Sequence, residues 1–120
     1  MKLTDLEPTF LRYENRGDQH IYHHRVETVA EAHGVLFLCP KCFLANGGAK
    51  GTHAILCWSR SAGTPETAKP LPGRWALAGT SFEDLTLNGD VGGNENRSVL
   101  LLSGCNAHFH VTSGEILFTE

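Results

Sequence analysis

Short apolar runs separated by glycine, proline and asparagine dominate the chain, and helical periodicity is almost absent. Runs of this kind predict strands joined by turns. The predicted strands cover residues 10–13, 21–26, 35–38, 52–59, 74–78, 82–87, 98–102, 109–112 and 115–118. Residues 27–33 predict a helical turn, and Gly34 can end it because glycine accepts the left-handed conformation. Ser113-Gly114 predicts a tight hairpin between the last two strands.

This pattern predicts an all-β, mainly antiparallel fold with at most one short helix. A chain of 120 residues is long enough for one hydrophobic core and too short for two domains. Its 41% hydrophobic and 19% charged residues are ordinary for a globular protein. We therefore expect one domain over residues 1–120.

The charge of the chain argues against nucleic acid as a partner. Ten basic and 13 acidic residues give a net charge of −3, and no run of lysine or arginine occurs. Binding to phosphates normally needs a basic face.

No apolar stretch is long enough to span a membrane, and the first residues lack a signal-peptide pattern. We therefore expect a cytoplasmic protein with no membrane partner, in which four cysteines are metal ligands or free thiols rather than disulfides.

Two segments share one design, a strand that runs into a short turn bearing metal ligands. The first ends in Cys39-Pro40-Lys41-Cys42, and the second ends in Cys105-Asn106-Ala107-His108. Two residues between ligands let a turn direct both side chains at one ion, and zinc prefers four such ligands in a tetrahedron. Pairing of the two parent strands would complete the site. The sequence therefore predicts two zinc knuckles that pin the sheets, with Cys39, Cys42, Cys105 and His108 as ligands.

Other assignments of these residues stay open. His53 follows Gly51-Thr52 and is the alternative to His108 as fourth ligand, or a residue beside the site. Cys57 lies within an apolar strand, which is typical of a small buried residue. A thioredoxin-like redox pair at Cys39 and Cys42 fits less well, because no helical pattern follows Cys42 to lower a thiol pKa.

Three residues that follow glycine turns predict a binding surface. His53, Arg74 and Trp75 each come just after such a turn, at the end of a strand where small β domains present binding groups. We expect them to border one concave surface near the zinc turns. His110 shares a strand face with His108 and is a further candidate for this surface. The alternative for Trp75 is a core anchor.

The order of these motifs resembles a family of small uncharacterised zinc-knuckle proteins of bacteriophages and bacteria. The resemblance covers about residues 6–116, and the motifs that carry it are Leu38-Cys39-Pro40-Lys41-Cys42, Gly51-Thr52-His53, Cys57-Trp58, Pro72-Gly73-Arg74-Trp75, Gly79-Thr80, Asp84-Leu85-Thr86-Leu87 and Gly104-Cys105-Asn106-Ala107-His108-Phe109. The layout is also similar to zinc-ribbon and β-tent proteins, in which zinc turns pin antiparallel sheets. Relatives of that architecture include a ligand-binding domain with a tryptophan cage and a methionine-sulfoxide reductase. The chain departs from them in its Cys-x-x-His turn and lacks a complete tryptophan cage.

These features favour binding over catalysis. A zinc ion held by four protein side chains has no position for water, so its role is structural. The expected protein is a small zinc-stabilised module that recognises a protein or small ligand through residues 60–73 and 88–97. The resemblance implies a phage-encoded protein that acts on a host pathway. The alternative is a zinc-dependent hydrolase or deaminase, which needs an open metal position and a carboxylate base such as Glu31, Asp84 or Glu115.

Overall fold

The computed structural model describes residues 1–14, 16–17, 22–59, 68–69, 73–89, 96–101 and 104–119. A 3-10 helix at Leu3–Leu6 comes first, and one short α-helix, α1, covers Pro40–Asn46. The strands of the described part are β1 Thr9–Glu14, β2 Tyr22–Val26, β3 Gly34–Leu38, β4 Ala54–Trp58, β5 Trp75–Ala78, β6 Thr86–Gly89, β7 Val99–Leu100, β8 His108–Thr112 and β9 Glu115–Phe118. The expected fold class, mainly antiparallel β with at most one short helix, is confirmed.

The strands form three antiparallel sheets. Their orders are β2-β1-β3-β4, β5-β6 and β7-β8-β9. The strands that precede the two cysteine turns, β3 and β7, therefore belong to different sheets. The expectation that these parent strands pair with each other is wrong, because β3 pairs with β1 and β4 while β7 pairs with β8.

The four-stranded sheet is covered on both faces. One face carries Phe10, Val35 and Cys57 into the main core of the molecule. The other carries Leu11 and Trp58, which form a second cluster with Ala68. Adjacent residues such as Phe10 and Leu11 are both buried because successive side chains of a strand point to opposite faces.

The indole of Trp58 fixes the covering segment on this second face. Its Nε1 donates to the carbonyl of Lys69 at 2.7 Å. The opposite residue in the register is Gly34, where an added Cβ would lie 2.7 Å from the Trp58 ring. Gly34 therefore begins β3 and makes room for the indole, rather than ending a helix as predicted.

The hairpin between β8 and β9 forms as predicted. Thr112 pairs with Glu115, and the two turn residues both have positive φ, 48° for Ser113 and 76° for Gly114. Two residues in this conformation give the turn that matches the twist of the strands. Gly114 also donates its N–H to the carbonyl of Leu85 and accepts from Leu3, so the hairpin holds the N-terminal 3-10 helix.

The short helix lies elsewhere than predicted. Residues 27–33 form a turn closed by the Ala32 N–H and the Val29 carbonyl, and not a helix. Helix α1 instead begins with Pro40 at its first turn, and Gly47 ends it in the left-handed conformation with φ 69°. Proline at the start and glycine after the end are favourable helix boundaries. At seven residues the helix is too short to show an apolar period.

The strand predicted over residues 82–87 is also shorter. Strand β6 begins at Thr86, and the preceding residues form a turn around the carboxylate of Asp84. That carboxylate accepts hydrogen bonds from the backbone of Thr80 and Ser81, each at 2.8 Å. These hydrogen bonds lower the pKa of Asp84. Local side chain-to-backbone bonding of this kind competes with strand pairing.

Trp75 is a core residue and not part of an exposed surface. Its side chain is 9% exposed, it packs in the main core, and its Nε1 donates to the Ser98 carbonyl at 3.2 Å. The neighbouring Arg74 is 2% exposed and donates to the carbonyls of Gly73 and Ala68. The expected concave surface of His53, Arg74 and Trp75 is therefore wrong.

We expect Trp75→Ala to reduce the free energy of unfolding by about 3–5 kcal/mol, because it leaves a cavity in the core. Leu117→Ala is the control, since this exposed leucine should change stability by less than about 0.5 kcal/mol. Urea unfolding of both variants measures the difference. Equal midpoints for the two variants would contradict a core role for Trp75.

Candidate metal centre

Three thiols and one imidazole converge at one end of the molecule. Their ligand atoms all lie within 4.8 Å of one another. The members of this Cys3His group are Cys39, Cys42, His53 and Cys105. No other set of this kind occurs among the described residues.

The spacing within the Cys3His group matches a tetrahedral zinc site. The sulfur atoms of Cys39 and Cys105 are 3.7 Å apart, and Nε2 of His53 is 3.5 Å from Cys105 Sγ. A tetrahedron with Zn–S of about 2.3 Å and Zn–N of about 2.0 Å has edges of about 3.8 Å between sulfurs and about 3.5 Å from sulfur to nitrogen. These two contacts are therefore already at the distances that a bound ion requires, and the remaining ligand atoms lie within 4.8 Å of one another.

The end of β3 and the start of α1 position two of the thiols. Cys39 is the N-cap residue of α1 in an extended conformation, and Cys42 lies three residues later on the first turn of the helix. Residues three apart on a helix share a face, which brings the two sulfurs together. The first N–H groups of a helix have no partner within it, so they are free to stabilise thiolates at this end.

His53 reaches the group through the register of two strands. Strand β3 pairs with β4 up to Leu38 and Ala54, and the Cys39 N–H then donates to the His53 carbonyl at 2.9 Å. This bond continues the ladder by one step, so His53 lies across from Cys39. The loop between α1 and β4 is held by Thr52, whose hydroxyl donates to the Gly48 carbonyl at 2.7 Å.

The third thiol comes from the turn before β8. Gly104 and Asn106 on either side of Cys105 both have positive φ, 70° and 54°. The ammonium group of Lys41 donates to the Cys105 carbonyl at 2.6 Å and ties this turn to α1. Three thiolates and a neutral imidazole on a divalent ion carry one negative charge, and the nearby lysine partly balances it.

The thiols differ in how readily they ionise. Burial raises the pKa of Cys39 to about 11. Burial also opposes ionisation of Cys105, but contacts with His53 and with the Ala107 backbone outweigh it and lower that pKa to about 7. Metal ligands must be deprotonated, so an ion is needed to hold Cys39 as a thiolate.

The structure brings together three of the four ligands given first by the sequence. His108 is not a member of the Cys3His group, and its place is taken by His53, the alternative. His108 of β8 pairs with Leu100 of β7, so it lies on the same face of the sheet as that exposed leucine. His108 is already the first residue of strand β8 and is not part of the turn that carries Cys105. His110 lies on the same face, opposite Leu117, and is also outside the group.

The contact of His53 with Cys105 depends on distant parts of the sequence. The signal for it was the position of His53 across from Cys39, one step beyond the Leu38–Ala54 pair of the β3–β4 ladder, which needs the strand register to be known.

Cys57 is confirmed as a small core residue. Its side chain is 0% exposed, it pairs with Val35, and burial raises its thiol pKa. The argument that no helix follows the Cys39–Cys42 turn is wrong, since α1 begins at Pro40. What separates the turn from a simple redox pair is the additional presence of His53 and Cys105 in the group.

Comparisons with protein-family models, with curated proteins and with solved structures return no match. Within the described residues, no helix has the length and apolar character that crossing a membrane requires.

The two histidines can be separated by metal content. We expect His53→Ala to lower bound zinc well below one per chain or weaken its binding at least tenfold, because one of four ligands is lost. His108→Ala is the matched control and should bind zinc like the parent protein. Zinc quantitation under competition with a chelator measures both, and the reverse pattern would show that His108 is the ligand.

The cysteines allow a second matched pair. Cys105→Ser should lose zinc and melt at a lower temperature, because metal binding and folding are linked. Cys57→Ala should keep its zinc and reduce the free energy of unfolding by roughly 1 kcal/mol, as expected for the loss of a small buried group. Thermal melting with metal analysis tests both variants. Loss of zinc from Cys57→Ala would contradict the ligand assignment.

Proposed function

We propose that the chain binds one zinc ion through the Cys3His group and works as a zinc-stabilised module that recognises a protein or small ligand. The observation that carries this proposal is the match of the 3.7 Å and 3.5 Å contacts to the edges of a zinc tetrahedron. Thiolates are soft ligands that select zinc over magnesium or calcium. Four protein ligands leave no position for a water molecule.

The surroundings of the group give little support to a hydrolase or deaminase. Such enzymes keep one metal position open and place a carboxylate nearby as general base. Among the described residues, the group contains no carboxylate. Two of the three candidate bases already accept hydrogen bonds elsewhere: Asp84 from the Thr80 and Ser81 backbone, and Glu31 from the Thr28 hydroxyl at 2.8 Å.

The zinc ion in this proposal joins two sheets. Cys39 and Cys42 follow β3 of the four-stranded sheet, whereas Cys105 precedes β8 of the three-stranded sheet. An ion bound by both sides fixes their relative position. Such a frame suits recognition, because binding groups on a rigid scaffold lose little freedom when a partner binds.

The recognition surface is proposed to lie away from the metal. Residues 60–73 and 88–97, expected from the sequence to form it, fall largely outside the described residues. On the described surface, Leu100 and Leu117 are 50% and 52% exposed and share one face of the β7-β8-β9 sheet with the two histidines of β8. The resemblance to phage proteins extends the proposal to a partner in the host cytoplasm.

Cobalt substitution tests whether the metal position is closed. Tetrahedral Co²⁺ bound to thiolates has visible absorption that changes when a ligand changes, so adding azide to the cobalt protein should leave its spectrum unaltered. His53→Ala is the positive control, since removal of one ligand should let azide bind and shift the spectrum. An azide-dependent shift in the parent protein would favour the hydrolase.

Recognition is tested separately, by affinity capture from host cytoplasm and by a thermal-shift screen of small ligands. A specific partner should bind the zinc-loaded parent and be lost from a Leu100→Asp, Leu117→Asp double variant that keeps its zinc. Retention by the double variant would contradict this surface, and hydrolysis of a captured ligand would contradict the non-enzymatic role.

A further inference from the structure

The contact between Cys39 and Cys105 joins two thiols that lie 66 residues apart in sequence. Their sulfur atoms are 3.7 Å apart, which is close to van der Waals contact. A zinc ion holds two such ligands at nearly the same distance. The two sulfurs need to approach by less than 2 Å to reach the disulfide bond length of about 2.0 Å.

The two thiols differ in access to solvent. Cys39 is fully buried, whereas Cys105 is half-buried and lies between Gly104 and Asn106, which are both exposed. Of this pair, a small oxidant therefore reaches Cys105 first, and its buried partner at 3.7 Å is Cys39. This order of access assigns one thiol as the site of attack and the other as the thiol that resolves it.

We propose that hydrogen peroxide converts the zinc-bound pair into a Cys39–Cys105 disulfide and releases the metal. This inference rests on the proposed zinc site. The Cys105 sulfur attacks one peroxide oxygen and forms a sulfenic acid, and the departing hydroxide takes a proton from solvent. The Cys39 sulfur then attacks the Cys105 sulfur and expels the second hydroxide, which becomes water. Two thiolates, one peroxide and two protons thus give one disulfide and two waters, with two electrons passing from sulfur to peroxide.

The disulfide removes two of the four ligands at once. Only Cys42 and His53 remain, and two protein ligands do not hold a zinc ion against solvent. The link between the end of β3 and the turn before β8 persists, because a covalent bond replaces the metal bridge between the same two residues. The site thereby becomes an oxidation-sensitive zinc donor whose frame keeps one cross-link.

The test is to treat the zinc-loaded full chain with hydrogen peroxide and follow three readouts. A chromogenic chelator should report release of the bound zinc, and free thiols under denaturing conditions should fall from four to two. Alkylation and peptide mapping should find Cys42 and Cys57 labelled and Cys39 joined to Cys105. Dithiothreitol followed by zinc should restore all four thiols and the metal.

Matched variants keep the assignment falsifiable. Cys57→Ala should behave like the parent, because this thiol is fully buried in the core. Cys42→Ser should still form the Cys39–Cys105 bond even if its zinc is lost, whereas Cys105→Ser should not. A disulfide between Cys39 and Cys42, a disulfide between Cys42 and Cys105, or retention of zinc after oxidation would overturn the inference. A chain that never binds zinc would contradict both the proposed function and this inference. A zinc-loaded chain that forms another disulfide would contradict this inference alone.

Discussion

The approach of Cys39 to Cys105 is the constraint on which the rest of the site depends. These residues belong to chain segments next to different sheets, and their sulfurs meet at 3.7 Å. The buried rings of Phe37 and Phe109 make an edge-to-face contact with centroids 6.0 Å apart, which also joins β3 to β8. An apolar contact and a group of metal ligands thus act on the same pair of sheets. The Phe37–Phe109 contact contributes apolar burial, and the Cys3His group sets how the two segments are oriented.

The thiolate form of Cys39 is costly without a cation. Burial raises its pKa to about 11, so the thiolate form is disfavoured in the metal-free chain. Lys41 is exposed, and its ammonium group donates to the Cys105 carbonyl rather than to a sulfur. A divalent ion would satisfy three sulfurs and one imidazole together, and these residues meet from the end of β3, α1, the residue before β4 and the turn before β8.

The sequence predicted those parts of the fold that depend on neighbouring residues. Most of the strands and the Ser113-Gly114 hairpin are set by local patterns and by residues that allow tight turns. The fourth ligand is not local. His108 lies three residues from Cys105, which made it the first choice, whereas His53 is 52 residues away and reaches the group only through the β3–β4 register. Burial of Trp75 has the same origin, since the carbonyl that accepts its indole N–H belongs to Ser98, 23 residues away.

The most direct test of the account is X-ray absorption at the zinc edge on the metal-loaded protein. The account predicts three sulfur ligands at about 2.3 Å and one nitrogen at about 2.0 Å, with an imidazole pattern that disappears in His53→Ala and persists in His108→Ala. A shell that contains a water oxygen, an imidazole pattern that survives in His53→Ala, or a chain that binds no zinc would contradict it.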